Sequence, residues 1–287
     1  MRPKQWAKNV FLFAALVFSL KFNDAAAWAQ TLQAFAAFCC VSSSGYLFND
    51  ARDVEADRKH PKKKFRPIAA GDLPISSAYI LMVVLFIVGM GLAAVTSKWL
   101  LLVTGLYFVN TMSYSVVFKN IVILDIMFIA MGFLWRVIAG AVAIDVAISP
   151  WLIVCTVFLA LFLGFNKRRG ELLLVSGSDT RKSLKDYSTS LLQEFQAITT
   201  SGAILSYTLY TVEGPYNGLR IFANSAGYPW LLLTLPFVLY GVFRYIYLVS
   251  MLGEGGAPDE TLLKDKPILL NGLLYTVTVV VLLILGN

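Results

Sequence analysis

Three aspartates, Asp50, Asp53 and Asp57, follow Asn49 at spacings of three and four residues in the stretch 49–71, NDARDVEADRKHPKKKFRPIAAG. Each residue of a helix turns by about 100°, so the three carboxylates fall within about 60° of one another on one face. Asn49 lies at the edge of that face and Glu55 points away from it. Carboxylates stacked in this way repel one another unless a cation lies between them. Their hard oxygens suit Mg²⁺, which keeps several waters and takes one or two carboxylates plus substrate phosphates. The stretch then turns basic, and Lys62, Lys63, Lys64 and Arg66 could meet those phosphates. In 23 residues it holds four of the 17 acids and seven of the 24 Lys/Arg. The alternative is a solvated acidic-basic loop at a membrane surface, which would not need the NDxxDxxxD spacing.

Other polar groups recur at the ends of apolar segments. Tyr114, Ser115 and Lys119 close one of them; Lys119 either caps a helix C-terminus or faces substrate. Asp125 stands one turn into the next segment, where an acid is costly and usually faces a cavity with a partner. Lys119 or Arg136 could supply that partner. Arg136 is the deepest charge in the chain, either a structural ion-pair member or part of a substrate cavity. The sequence NKRRGEL, residues 166–172, places Lys167 and Arg168 four and three residues before Glu171, as in a helix salt bridge. Arg181, Lys185 and Tyr187 follow in TRKSLKDYS, and both cations can reach phosphate. Asp265 is a weaker acidic candidate. His60 precedes Pro61 and reads as a loop residue. Cys39, Cys40 and Cys155 lie in apolar runs without a CxxC pair and read as core or lipid-facing residues.

The elements that must carry these groups are apolar helices. The chain has 287 residues, 58% of them hydrophobic and only 14% charged, against about 25% charged in a soluble domain. Mean hydropathy is +0.70. Apolar runs of roughly 20 residues follow one another, as membrane-crossing helices require. The fold class is therefore an all-α polytopic membrane protein, a single domain over 1–287. Nine spans are expected, at about 8–20, 28–48, 76–96, 99–118, 121–144, 150–165, 191–212, 228–251 and 267–285. The longest polar loops are then about 49–75 and 166–190, after the second and sixth spans, which suggests a pseudo-duplication. The basic start RPKQWAKN has no clear small-residue cleavage site and reads as no cleavable signal peptide.

With the N-terminus inside, the inner segments carry 3, 7, 1, 6 and 2 Lys/Arg, or 19 of 24. The outer ones carry Lys21, Lys98 and Arg220. This asymmetry follows the positive-inside rule. It puts both long polar loops on the cytoplasmic face of the cell (plasma) membrane, with the N-terminus and active site. The net charge of +7 then serves topology, anionic substrates and membrane lipids rather than nucleic acid.

NDxxDxxxD after the second span, nine spans and a polar loop after the sixth together resemble the UbiA superfamily of intramembrane prenyltransferases, over essentially the whole chain. Within it the sequence is similar to the decaprenyl-phosphate phosphoribosyltransferases in RPKQWAKN (2–9), the stretch 49–71, residues 114–143, KRRGEL (167–172) and RKSLKDY (181–187). A second DxxxD motif, carried by aromatic-substrate members in the later loop, is absent; Asp179 and Asp186 are seven apart.

The resemblance implies nine helices around a central cavity open to the cytoplasmic side. It implies transfer of 5-phosphoribose from 5-phosphoribosyl 1-diphosphate to a polyprenyl phosphate, giving a lipid-linked precursor for cell-wall arabinose. It implies Mg²⁺ on Asn49, Asp50, Asp53 and Asp57, with Asp50, Asp53, Asp57 and Lys119 catalytic. Lys64 and Arg66 would share the leaving-group charge with Lys119. Substrate would also meet Tyr114, Asp125, Arg136, Lys167, Arg168, Glu171, Arg181, Lys185 and Tyr187. Trp6, Phe11 and Trp135 could line an isoprenoid groove, and a homo-oligomer is compatible. Two other readings stay open: a prenyl transfer from prenyl diphosphate to an aromatic or other acceptor, and a transporter or lipid-binding protein using Asp125 and Arg136 as a relay.

Overall fold

The structure, a computed structural model, describes residues 3–19, 21–59, 63–174, 186–213, 229–251, 261 and 264–285. No β-strand occurs among the described residues. A 3₁₀ segment, Pro3–Leu12, runs into α1 (Phe13–Phe18). Then come α2 (Ala25–Arg52), α3 (Val54–Lys59), α4 (Pro67–Ala70), α5 (Ile75–Thr96) and α6 (Lys98–Val116). The rest are α7 (Leu124–Ala143), α8 (Pro150–Leu174), α9 (Thr189–Glu213), α10 (Leu235–Met251) and α11 (Lys266–Leu285).

Six of the described helices are long and apolar enough to cross a membrane: Ala25–Arg52, Ile75–Thr96, Lys98–Val116, Leu124–Ala143, Pro150–Leu173 and Trp230–Met251. The other three expected spans are also helical but differ in kind. The first begins as 3₁₀ up to Leu12 and continues as the short α1; the 3₁₀ rise of about 2.0 Å per residue lengthens that part relative to an α-helix. The ninth is α11, Lys266–Leu285, 20 residues long and apolar over Lys266–Leu282. The seventh, α9, is long but too polar, because Gln196, Thr199, Thr200, Ser206 and Thr211 turn into the protein interior. Thr199, Ser206 and Thr208 return their hydroxyls to carbonyls four residues back, which lets polar residues sit in an apolar setting.

The chain forms two compact units: residues 1–118 with 131–147, and 119–130 with 148–287. In the first, α2 packs along α5. Glycine at position 89 permits this, since a Cβ there would come within 2.6 Å of Val41 and 2.9 Å of the Ala37 carbonyl. Ser44 Oγ donates to the Met82 carbonyl at 2.9 Å across the same pair. At the end of α2 that carries the polar stretch, Leu47, Ala51, Val54, Ile68 and Ala78 form a core cluster, with Leu73, Leu81, Met82 and Leu85 against it. The larger of these, Leu47, Val54 and Ile68, each contribute about 1.5–3 kcal/mol when buried, so α3 and α4 are fastened by apolar contacts independent of their charges. Pro67 starts α4 and Gly71, at φ +93°, ends it in the left-handed conformation that glycine adopts without strain.

In the second unit, α8 packs along α9, and α10 lies beside α11. Ile126, Phe165, Tyr187 and Leu192 form one cluster; Phe162, Val242, Tyr245 and Val249 form another. Arg169 Nη1 ties α8 to Gln196 of α9 at 3.0 Å and to Ser250 of α10 at 2.8 Å.

Candidate active site

The first unit holds the acidic stretch. α2 runs to Arg52 and pauses for one residue at Asp53, whose N–H still donates to the Asn49 carbonyl at 3.0 Å. α3 resumes at once, and Asp57 N–H donates to the Asp53 carbonyl at 2.8 Å. The helical turn is thus kept through the break, so Asp50 and Asp57 point the same way, as the i, i+7 spacing predicts. Both are buried. Asn49 and Asp53 are half-buried. Glu55 turns outward to an exposed pair with Arg58 at 2.9 Å.

One nitrogen of Arg66 serves both buried carboxylates. Its Nη1 lies 3.1 Å from Asp50 Oδ1 and 2.5 Å from Asp57 Oδ2. Arg66 is the residue before Pro67, in extended conformation at the N-terminus of α4, so the core cluster under α4 sets where its side chain starts. Lys64 is exposed and lies over the Phe65 ring, 5.2 Å from its centroid. Among the described residues, no three His, Cys, Asp or Glu side chains gather as a metal-binding group. What the stretch offers a cation is therefore two carboxylate oxygens converging on one point, with the remaining ligands to come from elsewhere. That donor set fits Mg²⁺, which commonly completes its shell with waters and substrate phosphates.

Arg136 belongs to the same unit but to a different neighbourhood. It is buried and donates to Asn9 Oδ1 at 2.8 Å, the Gly132 carbonyl at 2.7 Å and the Tyr107 hydroxyl at 2.9 Å. Its guanidinium also lies 4.8 Å from the Tyr107 ring centroid, a cation–π contact. Asn9 passes the connection on to Cys39 Sγ at 3.2 Å, and Trp6 Nε1 reaches Ser43 Oγ at 3.1 Å. Arg136 thus fixes the N-terminal 3₁₀ segment. Phe11 packs edge-on against Phe133. The three cysteines form no disulfide.

The second unit holds a different cluster. Asp125, fully buried, accepts from Arg168 Nε at 2.8 Å and from the Tyr187 hydroxyl at 2.9 Å. The expected partners Lys119 and Arg136 are not the ones it uses: the Arg168 guanidinium comes from the end of α8, 43 residues on. Tyr187 also accepts from the Ile123 N–H at 2.6 Å, where the chain takes a left-handed turn, φ +70°, into α7. Burial, reinforced by the Asp125 carboxylate, pushes the Tyr187 phenol well above its ordinary value, so it stays a donor. Arg168 Nη1 also holds Glu171 at 2.6 Å, making the i, i+3 pair. Lys167 and Tyr114 are half-buried and Lys119 is buried. Arg181 and Lys185, like Lys62 and His60, lie outside the described residues.

Asn9 and Tyr107, the partners of Arg136, carry little signal in the sequence beyond a polar N-terminus and a tyrosine within an apolar run. The sequence also leaves unjoined Arg244 and Asp265, which pair at 2.9 Å. Asp265 further accepts from the Ile268 N–H at 2.9 Å, capping α11.

The UbiA prenyltransferase family matches residues 10–254. Decaprenyl-phosphate phosphoribosyltransferase from Corynebacterium glutamicum is 37% identical over 93% of this chain and 80% of that protein. The protein of the same name from Mycolicibacterium smegmatis is 34% identical over 93% of this chain and 85% of its own length. Among solved structures, a UbiA homolog from Archaeoglobus fulgidus bound to GPP and Mg²⁺ shares the fold. It has a TM-score of 0.72 at 14% identity, covering 99% of this chain and 95% of that one.

Proposed function

Since this chain belongs to the UbiA prenyltransferase family, we propose that it transfers 5-phosphoribose from 5-phosphoribosyl 1-diphosphate to a polyprenyl phosphate, releasing diphosphate. The observation that carries this reading is the similarity, over four fifths or more of their length, to proteins named for that reaction. The pairing of Asp50 and Asp57 on one cationic point, without a second DxxxD motif in the sequence, is consistent with it.

Asp50 and Asp57, with Asn49 and Asp53 beside them, would hold Mg²⁺, which supplies Lewis-acid stabilisation to a departing diphosphate. Lys64 and Arg66 would share the charge that develops on the leaving oxygens. Lys167, Arg181 and Lys185 are the candidates for the 5-phosphate or the lipid phosphate. Asp125 and Tyr187 position Arg168, and through it Glu171. An oxygen of the ionised lipid phosphate forms the bond to the anomeric carbon; the bond to diphosphate breaks and its electron pair leaves with the diphosphate. No proton has to move, which fits the absence of a histidine other than His60 from the sequence.

The arrangement in the membrane belongs to the same proposal: nine spans, with the N-terminus and the two polar loops on the cytoplasmic face, where a soluble diphosphate sugar is available. Purified protein given labelled 5-phosphoribosyl 1-diphosphate, polyprenyl phosphate and Mg²⁺ should place label in a lipid-extractable product. Turnover of a prenyl diphosphate with no labelled lipid would overturn the reading.

A further inference from the structure

Arg66 stands where a cation is required. Two buried carboxylates directed at one point need a positive charge there, and Arg66 Nη1 provides it, at 3.1 and 2.5 Å. Only one cation fits at such a point, so a metal ion and this guanidinium exclude each other. The side chain of Arg66 is 24% exposed, whereas those of Asp50 and Asp57 are 11% and 4% exposed. The arginine therefore reaches in from an accessible side. Its backbone is anchored without the ion pairs: its N–H donates to the Lys63 carbonyl at 3.0 Å, its carbonyl accepts from Ala70 at 2.8 Å, and Ile68 and Ala69 are buried behind it. The side chain can leave while α4 stays.

We propose that Arg66 is a displaceable counter-ion. It keeps Asp50 and Asp57 together in the metal-free protein, a metal ion entering with a diphosphate takes its place, and the released guanidinium turns to the diphosphate oxygens. This rests on the metal-diphosphate reading given above. A planar guanidinium matches phosphate oxygens in pairs, which a lysine does not. Metal alone must expel Arg66 from both partners and offers it none in return. Metal with diphosphate gives it a new partner, so the two ligands bind with positive coupling, and each raises the affinity of the other by the same factor.

The test is Mn²⁺ binding to purified full-length protein without any diphosphate, read from the free-ion electron paramagnetic resonance signal. Arg66→Gln should bind Mn²⁺ at least about tenfold more tightly than wild type, since no buried ion pair has to be broken. Adding Asp57→Asn to Arg66→Gln should abolish that gain, which locates the ion. Arg58→Gln removes a nearby charge that pairs with Glu55 instead, and its affinity should change by less than about twofold, as for an exposed pair.

Equal or weaker Mn²⁺ binding by Arg66→Gln overturns the exchange, and so does an equal gain in Arg58→Gln. Arg66→Lys keeps the charge and serves if Arg66→Gln fails to fold. It should also exceed wild type, by a smaller factor, and binding at or below wild type again overturns the exchange. Phosphoribose transfer by wild type is measured separately. Transfer without any Mn²⁺ difference refutes the exchange alone; a Mn²⁺ difference without transfer supports the exchange and refutes the reaction.

Discussion

Each unit of the chain meets its buried carboxylates with arginine, but the exposure of that arginine differs. In the first unit, two carboxylates share one nitrogen of Arg66, whose side chain is 24% exposed. In the second, one carboxylate, Asp125, is enclosed by Arg168 and Tyr187, with the Arg168 side chain 2% and the Asp125 side chain 0% exposed. The first cluster has access to solvent through the Arg66 side chain. Such a cluster can change its cation. The second is shielded and braced by Ile126, Phe165 and Leu192, with Arg168 also holding Glu171. Such a cluster is costly to disturb and fixes geometry. Similar residue types thus suit two tasks, and burial decides which.

Substitution of the two acids should separate those tasks. Asp57→Ala should lower kcat/KM by about 10²–10³-fold, equivalent to several kcal/mol of lost leaving-group stabilisation. Its melting temperature should stay near wild type, because the apolar cluster under α3 and α4 is untouched. Asp125→Ala should do the reverse and cost about 3–5 kcal/mol of stability by removing the fully buried carboxylate that Arg168 Nε meets. Thermal unfolding in detergent beside an activity assay would read both. Equal melting temperatures for the two variants would break the contrast.

Tyr187→Phe tests the second cluster more finely. It removes the hydroxyl that donates to Asp125 and accepts from Ile123. A loss of about 1–3 kcal/mol is expected, the cost of unsatisfied buried polar groups. A smaller effect belongs to Asp265, which caps α11 and pairs with Arg244. Asp265→Ala should cost about 1 kcal/mol, as for loss of an N-cap. The Arg244 hydrogen bond holds the Asp265 carboxyl below the usual carboxylate range. A depressed folded pKa stabilises above the unfolded value of about 3.9 and is lost as pH falls through the folded one. The difference between wild type and variant should therefore be constant from neutral pH down to about pH 5 and shrink below about pH 4. Shrinkage near neutrality would contradict the pairing.

The acidic face was legible because helical periodicity is local. Spacings of three and four residues place Asp50 and Asp57 on one side, and the one-residue break at Asp53 does not turn them apart. Arg66 could be recognised as a phosphate-facing cation, but not as the bridge between the acids. That role depends on how α4 packs over Leu47 and Ala51. Asp125 announced itself as an acid in need of a partner, yet local spacing favoured Lys119, and the partner arrives on another helix. The first span was visible as an apolar run. The 3₁₀ winding up to Leu12 was not, since hydropathy does not distinguish i→i+3 from i→i+4 hydrogen bonding. In α9 the buried threonines and serines lowered the hydropathy of a helix that is nonetheless continuous over 25 residues.

Asp50 and Asp57 are proposed to bind the metal on which phosphoribose transfer depends. The most direct test is the metal dependence of lipid-linked phosphoribose formation in wild type and in Asp57→Asn, in Mg²⁺ and in excess EDTA. Labelled lipid should form only in wild type with Mg²⁺, and restoring Mg²⁺ after EDTA should restore it. Transfer at the wild-type rate in EDTA, or by Asp57→Asn, would contradict the account.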